Sequence, residues 1–145
     1  MKRLNKIAKR ILAFDETIEN FINECENSGK FDKDQMNEIR LGFEFGLSME
    51  QVEFYTDYKF DWEQMHEIRW GFYNGLTMDQ IEVYAKPEFD ADQMDEICKG
   101  YRNGLTMEQV EVYAKPEFNW QQMSEIREDL ENDISIEEVK EKYDL

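Results

Sequence analysis

The chain holds one histidine, two cysteines and two prolines in 145 residues, and it has half as many cations as anions, 17 Lys and Arg against 34 Asp and Glu. Each scarcity excludes something. A lone His66 cannot build a multi-histidine metal centre, and no Ser or Cys motif of the G-x-S-x-G type accompanies it for nucleophilic catalysis. No phosphate-cradling glycine loop is present either, so the sequence predicts a protein that is not an enzyme. Cys25 and Cys98 lie in unlike contexts with no C-x-x-C spacing, which predicts two free thiols in a reducing cytoplasm. Apolar runs are short, and Lys6, Lys9 and Arg10 interrupt the N-terminal one, so neither a signal peptide nor a membrane span is expected. Direct binding to nucleic acid or to a membrane surface is disfavoured by the net charge of −17.

That charge is unevenly placed. Residues 1–30 contain six cations and five anions, leaving 11 cations against 29 anions in residues 31–145. A field of this sign favours a basic protein partner, including one whose own ligand is nucleic acid. With 41% hydrophobic and 14% aromatic residues the chain can still bury a core, so its charge belongs to the surface of a folded unit.

The dominant feature is an internal repeat of 29 residues, with copies beginning at Phe31, Phe60, Phe89 and Phe118. Each reads F-[DN]-x-x-Q-M-x-E-I. The first three copies add a glycine pair four apart, and all then run through [LI]-[ST]-[MI]-[ED]-[QE]-[VI]. A fixed period of this length marks stacked supersecondary units. Two helix starts recur in every copy. Asp61 caps the first with Gln64 three residues on, and Phe60 can staple to Met65; Thr77 and Gln80 repeat the box, with Leu76 stapling to Ile81. The spacing predicts one helix from about Trp62 to Asn74, ended by Gly75, and a second from Met78 to Tyr84, ended before Pro87. A two-turn helix is unstable alone, so the copies must stack. The predicted fold is all-α, a short α-solenoid of four helix-turn-helix repeats (31–59, 60–88, 89–117 and 118–145) behind a long N-terminal helix over 1–29.

Gly42, Gly71 and Gly100 fall inside the longer helices, where glycine costs about 1 kcal/mol, and predict a close approach by another helix. The fourth copy replaces its glycines with Asp129 and Asp133 and its tyrosine and proline region with Lys140, Glu141 and Lys142, as expected of a terminal cap. In the N-terminal helix, Leu4, Ile7, Ile11, Phe14, Ile18, Phe21 and Cys25 alternate three and four apart. This seam either caps the first copy or pairs with another chain. The cations Lys2, Arg3, Lys6, Lys9 and Arg10 sit at the helix end where the macrodipole disfavours them, so they carry no stability rationale.

No metal or cofactor site emerges: Asp90-Ala91-Asp92 resembles the start of a calcium loop, but the positions that need glycine and glutamate are Asp95 and Tyr101. Candidate partner-binding residues come from comparing copies. On a wheel of about 100° per residue, Met65, Ile68 and Phe72 form the core stripe, with Gln64, Glu67 and Gly71 on a constant flank. The other flank varies, and holds Trp62, His66, Arg69, Trp70 and Tyr73 in the second copy and Trp120 in the fourth. Trp, Tyr and Arg are enriched at binding hot spots, so this flank is a candidate anchor face. A second stripe, Glu50, Glu53, Asp79, Glu82, Glu108 and Glu111, recurs on the short helices and predicts an acidic ladder with rungs roughly 10 Å apart.

The run F-D-x-x-Q-M-x-E-I-R-x-G, followed by N-G-L-T-M-[DE]-Q-[VI]-E-V-Y-A-K-P-E, resembles short tandem repeats of small, mostly uncharacterised proteins of phages and mobile elements in Gram-positive bacteria. The resemblance covers residues 31–145. It implies a context in which small acidic proteins inhibit host defence, as anti-CRISPR and anti-restriction proteins do, and it supplies no functional residues. The basic, heptad-patterned first helix departs from a pure DNA mimic. The expected function is therefore inhibition of a nucleic-acid-handling bacterial enzyme by acidic repeats with Trp62, Trp70 and Trp120 as anchors. The alternative is an adaptor scaffold that self-associates through its N-terminal helix.

Overall fold

The computed structural model describes residues 6–145, with the side chains of residues 7–15 outside that description. The seam and basic-tip assignments at Lys2, Arg3, Leu4, Ile7, Lys9, Arg10, Ile11 and Phe14 therefore lie outside the described residues. Nine helices and no strand occur among the residues described: α1 (Lys6–Ser28), α2 (Lys33–Glu44), α3 (Met49–Tyr55), α4 (Trp62–Tyr73), α5 (Met78–Tyr84), α6 (Ala91–Arg102), α7 (Met107–Tyr113), α8 (Trp120–Glu131) and α9 (Ile136–Tyr143). This is the expected repeat of a longer and a shorter helix, with α4 ending at Tyr73 and Asn74 as its C-cap.

Local grammar sets these bounds. Every helix from α2 to α9 begins with a complete capping box, in which the N-cap side chain accepts from the N3 amide and the N3 side chain accepts from the N-cap amide. Gly75 closes α4 at φ +84°; in the fourth copy Asp133 takes the equivalent left-handed place at φ +64°.

The long helices pack in series, α2 on α4, α4 on α6 and α6 on α8, and each of α3, α5 and α7 rests on the long helix of its own copy and of the next. Fully buried Ile39, Met65, Ile68, Met94, Ile97, Met123 and Ile126 run through the middle of this stack. Burial of their side chains is worth roughly 1.5–3 kcal/mol each. Ahead of the first copy, α1 takes the place of a short helix: Phe21 meets Phe43 edge to face at 5.9 Å, as Phe54 of α3 meets Phe72 at 5.8 Å.

The glycines inside the long helices have a specific occupant. Tyr55, Tyr84 and Tyr113, each with no exposed surface, point their hydroxyls at Gly42, Gly71 and Gly100, where a Cβ would overlap them. The hydroxyls donate to the carbonyls of Glu38, Glu67 and Glu96 at 2.9, 3.3 and 3.0 Å. A tyrosine tip therefore enters the space that the sequence assigned to a passing helix. In the cap, both halves of this pair change together: Asp129 replaces the glycine, Lys142 the tyrosine, and Lys142 Nζ lies 2.7 Å from Asp129 Oδ2.

Candidate partner-binding faces

The short helices present the acidic ladder. In α3, α5 and α7 the inward side is fixed by Val52 and Tyr55, Ile81 and Tyr84, and Val110 and Tyr113, all fully buried. Lying two residues before or one residue after the inward Val52, Ile81 and Val110, at about 100° per residue, Glu50 and Glu53, Asp79 and Glu82, and Glu108 and Glu111 turn outward, and all six are exposed. None of them forms a salt bridge among the described residues. In the cap the ladder continues at Glu137 and reverses sign at Lys140, which shares a shallow cleft of about 190 Å³ with Glu108, Glu111 and Lys115.

The long helices present the second face, and here the structure sorts the expected residues. Trp62 and Trp120 are 43% and 45% exposed, and Tyr73 is 50% exposed. Trp70 is half-buried, stacked on Tyr73 at 5.7 Å and covered by the Arg102 guanidinium at 5.7 Å. Phe45 joins the group edge-on to Tyr73 at 5.3 Å. Sequence reasoning missed Phe45, because the equivalent positions of the other copies are Asn74, Asn103 and Asn132, read as helix ends.

Arg69 does not stand on that face. It is 4% exposed, with Nε donating to Glu38 Oε2 at 2.7 Å and Nη2 to His66 Nδ1 at 2.9 Å. Because a guanidinium only donates, His66 accepts at Nδ1 and carries its proton on Nε2. The correction has a physical reason: the edge of α4 that carries Arg69 is closed by α2, so a position that varies among copies is a junction position. Arg40 meets Glu26 of α1 there, and Arg127 donates to Glu96 at 2.9 Å and to Glu131 at 2.8 Å. Burial alone would make Arg127 easier to deprotonate; the hydrogen bonds it donates to these two carboxylates outweigh it and hold the group above its ordinary range.

The third copy breaks this series with Cys98, which is fully buried. Glu67, the residue that would face an arginine there, keeps Oε2 buried with no hydrogen-bond partner among the described residues. Burial, and then the nearby Asp95 carboxylate, push its carboxyl up to about 7. Burial likewise pushes the Cys98 thiol up to about 11, which makes it a poor nucleophile. Beside this junction, Lys99 bridges Asp95 at 2.7 Å and Glu96 at 3.1 Å along a cleft of about 230 Å³ walled by Trp120.

Among the described residues no group of His, Cys, Asp and Glu is placed to hold a metal ion, and no helix is long and apolar enough to cross a membrane. No protein-family model, curated protein or solved structure matches this chain.

Proposed function

We propose that the chain is a non-catalytic binding module whose acidic short-helix face occupies a basic, nucleic-acid-handling groove on a partner protein and so inhibits that partner. One observation carries the reading: Glu50, Glu53, Asp79, Glu82, Glu108 and Glu111 recur at matching helix positions, exposed and without ion pairs among the described residues, whereas the cations Arg69 and Arg127 are held inside the stack. Unpaired carboxylates in a fixed array give up no internal contact when a basic groove meets them, and the rigid stack limits the entropy lost on binding. Tyr73, Trp62 and Trp120 would add salt-resistant contact area at the edge. The resemblance to repeats of phages and mobile elements narrows the target class to a defence enzyme of the bacterial cytoplasm, a CRISPR nuclease or a restriction enzyme.

The test is capture from bacterial lysate on the immobilised chain, at low and at high salt, followed by competition between the chain and DNA for the captured protein. The reading expects a basic nuclease that salt releases and whose DNA binding the chain displaces. Combined Glu53→Lys, Glu82→Lys and Glu111→Lys should abolish capture. A nuclease retained by that triple variant would sink the reading.

A further inference from the structure

The first helix is divided by charge. Residues 1–14 carry five cations and no acid, and residues 15–28 carry five acids and no cation. At 1.5 Å per residue the 23 residues of α1 run about 34 Å, against about 18 Å for the 12 residues of α2. The residues of α1 that join the core, among those described, are Phe21, Ile22 and Cys25, all in the acidic half.

Beside that acidic half runs a groove between α1 and α3, made of two adjoining hollows of about 440 and 250 Å³ that share Glu24 and Glu53. Its floor includes half-buried Phe21, Phe31 and Phe54, and its wall along α1 extends from Thr17 to Ser28. Those 12 residues amount to about three turns. Glu24, Glu53 and Asp57 border it against one cation, Lys30, whose Nζ lies 5.6 Å from the Tyr58 ring.

We propose that this groove receives the basic half of α1 from a second copy, giving a two-fold antiparallel pair in which Leu4, Ile7, Ile11 and Phe14 of each chain enter the other's groove. Spacings of three and four are those of an amphipathic helix seated in a groove. The orientation follows from charge, since an antiparallel pair sets five cations along five acids twice over, whereas a parallel pair sets like on like. A two-fold contact closes on itself and stops at the dimer. The five cations that lacked a stability rationale thereby acquire a counterpart, and Asp79, Glu82, Glu108 and Glu111 remain free for a partner.

Sedimentation equilibrium of the full chain at low and high salt tests the pairing. A species of twice 17.6 kDa is expected at low salt, with its dissociation constant rising about tenfold or more in molar salt. Lys6→Glu with Arg10→Glu should weaken the dimer about tenfold or more, as should Glu19→Lys with Glu24→Lys, and an equimolar mixture of the two variants should restore it. Helical circular dichroism shows that each variant is folded. For orientation, Ala8→Cys chains should cross-link to Asn23→Cys chains under mild oxidation and not to one another. A chain that stays monomeric in low salt, a mixture that fails to pair, a cross-link between two Ala8→Cys chains, or a monomer that gains mass only with another basic protein would each overturn the proposal. Glu53 borders both the groove and the acidic ladder, so the two readings are separated by Glu82→Lys with Glu111→Lys, which lies away from the groove and should abolish nuclease capture while leaving the dimer intact.

Discussion

Two of the three junctions between long helices, α2 with α4 and α6 with α8, bury an arginine against a glutamate; the one between them, α4 with α6, buries Cys98 opposite a Glu67 that has no cation to hold. The flanking junctions thus lock through buried ion pairs, and the middle one packs as closely without one among the described residues. The ion pairs are not a large net source of stability, because desolvating both groups offsets most of their attraction. What they impose is a requirement: each member must have its partner. The middle junction has no such pair, and burial pushes the Glu67 carboxyl up to about 7. The difference teaches that near-identical copies need not contribute equally, since a single substitution in one copy alters the demand on its neighbour.

Variants at the junctions, with others placed away from them, sharpen or break this contrast. Glu38→Ala strands a buried Arg69 and should lower unfolding free energy by about 3–5 kcal/mol in urea, whereas Glu67→Ala at pH 5 should cost much less. Gly100→Ala acts inside one copy, independent of any junction; overlap with the Tyr113 hydroxyl should cost about 1–3 kcal/mol, partly recovered by adding Tyr113→Phe.

Glu67→Gln is read by pH. The folded-state value of Glu67, about 7, lies above its ordinary 4.5, so the folded chain holds the extra proton. Its contribution is intact below about 4.5 and is lost as pH rises through about 7. Glu67→Gln should therefore stabilise the chain at pH 8 by about 1–2 kcal/mol, an amount reduced for the group's partial exposure, and change little at pH 4. Cys98→Arg should flatten the same pH dependence by supplying the absent cation, as checked by thermal melts across that range. The smallest effect belongs to Asp133→Gly, which relieves a left-handed residue and should raise stability by about 0.5–1 kcal/mol, with no influence on the junctions.

The fold was legible because its signals are local: a 29-residue period, a capping box at each helix start of a copy, and a glycine or proline after five of the six helices in the first three copies all lie within one copy. The outward placement of the six ladder carboxylates followed from the same short-range spacing. Contacts between copies were not legible. A helical wheel gives the direction of Arg69 relative to Met65, and it does not say which direction the next long helix closes. Trp70 reads as an exposed anchor from its own helix, yet Tyr73 and Arg102 cover it from either side. One signal was present and unused: Asp129 and Lys142 depart from the repeat together, as expected of two positions in contact. Another lies in Gln35, Gln64 and Gln93, since Glu would also complete a capping box.

Those glutamines do a second task. While Oε1 closes the box, Nε2 donates at 2.6 Å to the carbonyl of Phe60, Phe89 or Phe118, the first residue of the next copy, 25 positions on. Gln122 has no such successor and is exposed. In the second and third copies the same Nε2 also meets the carbonyl of Pro87 or Pro116 in its own copy, so one side chain joins both ends of its own copy to the opening of the next. Each such contact ties a copy to the one after it, which gives the stack a polarity along the chain that near-identical copies would otherwise lack.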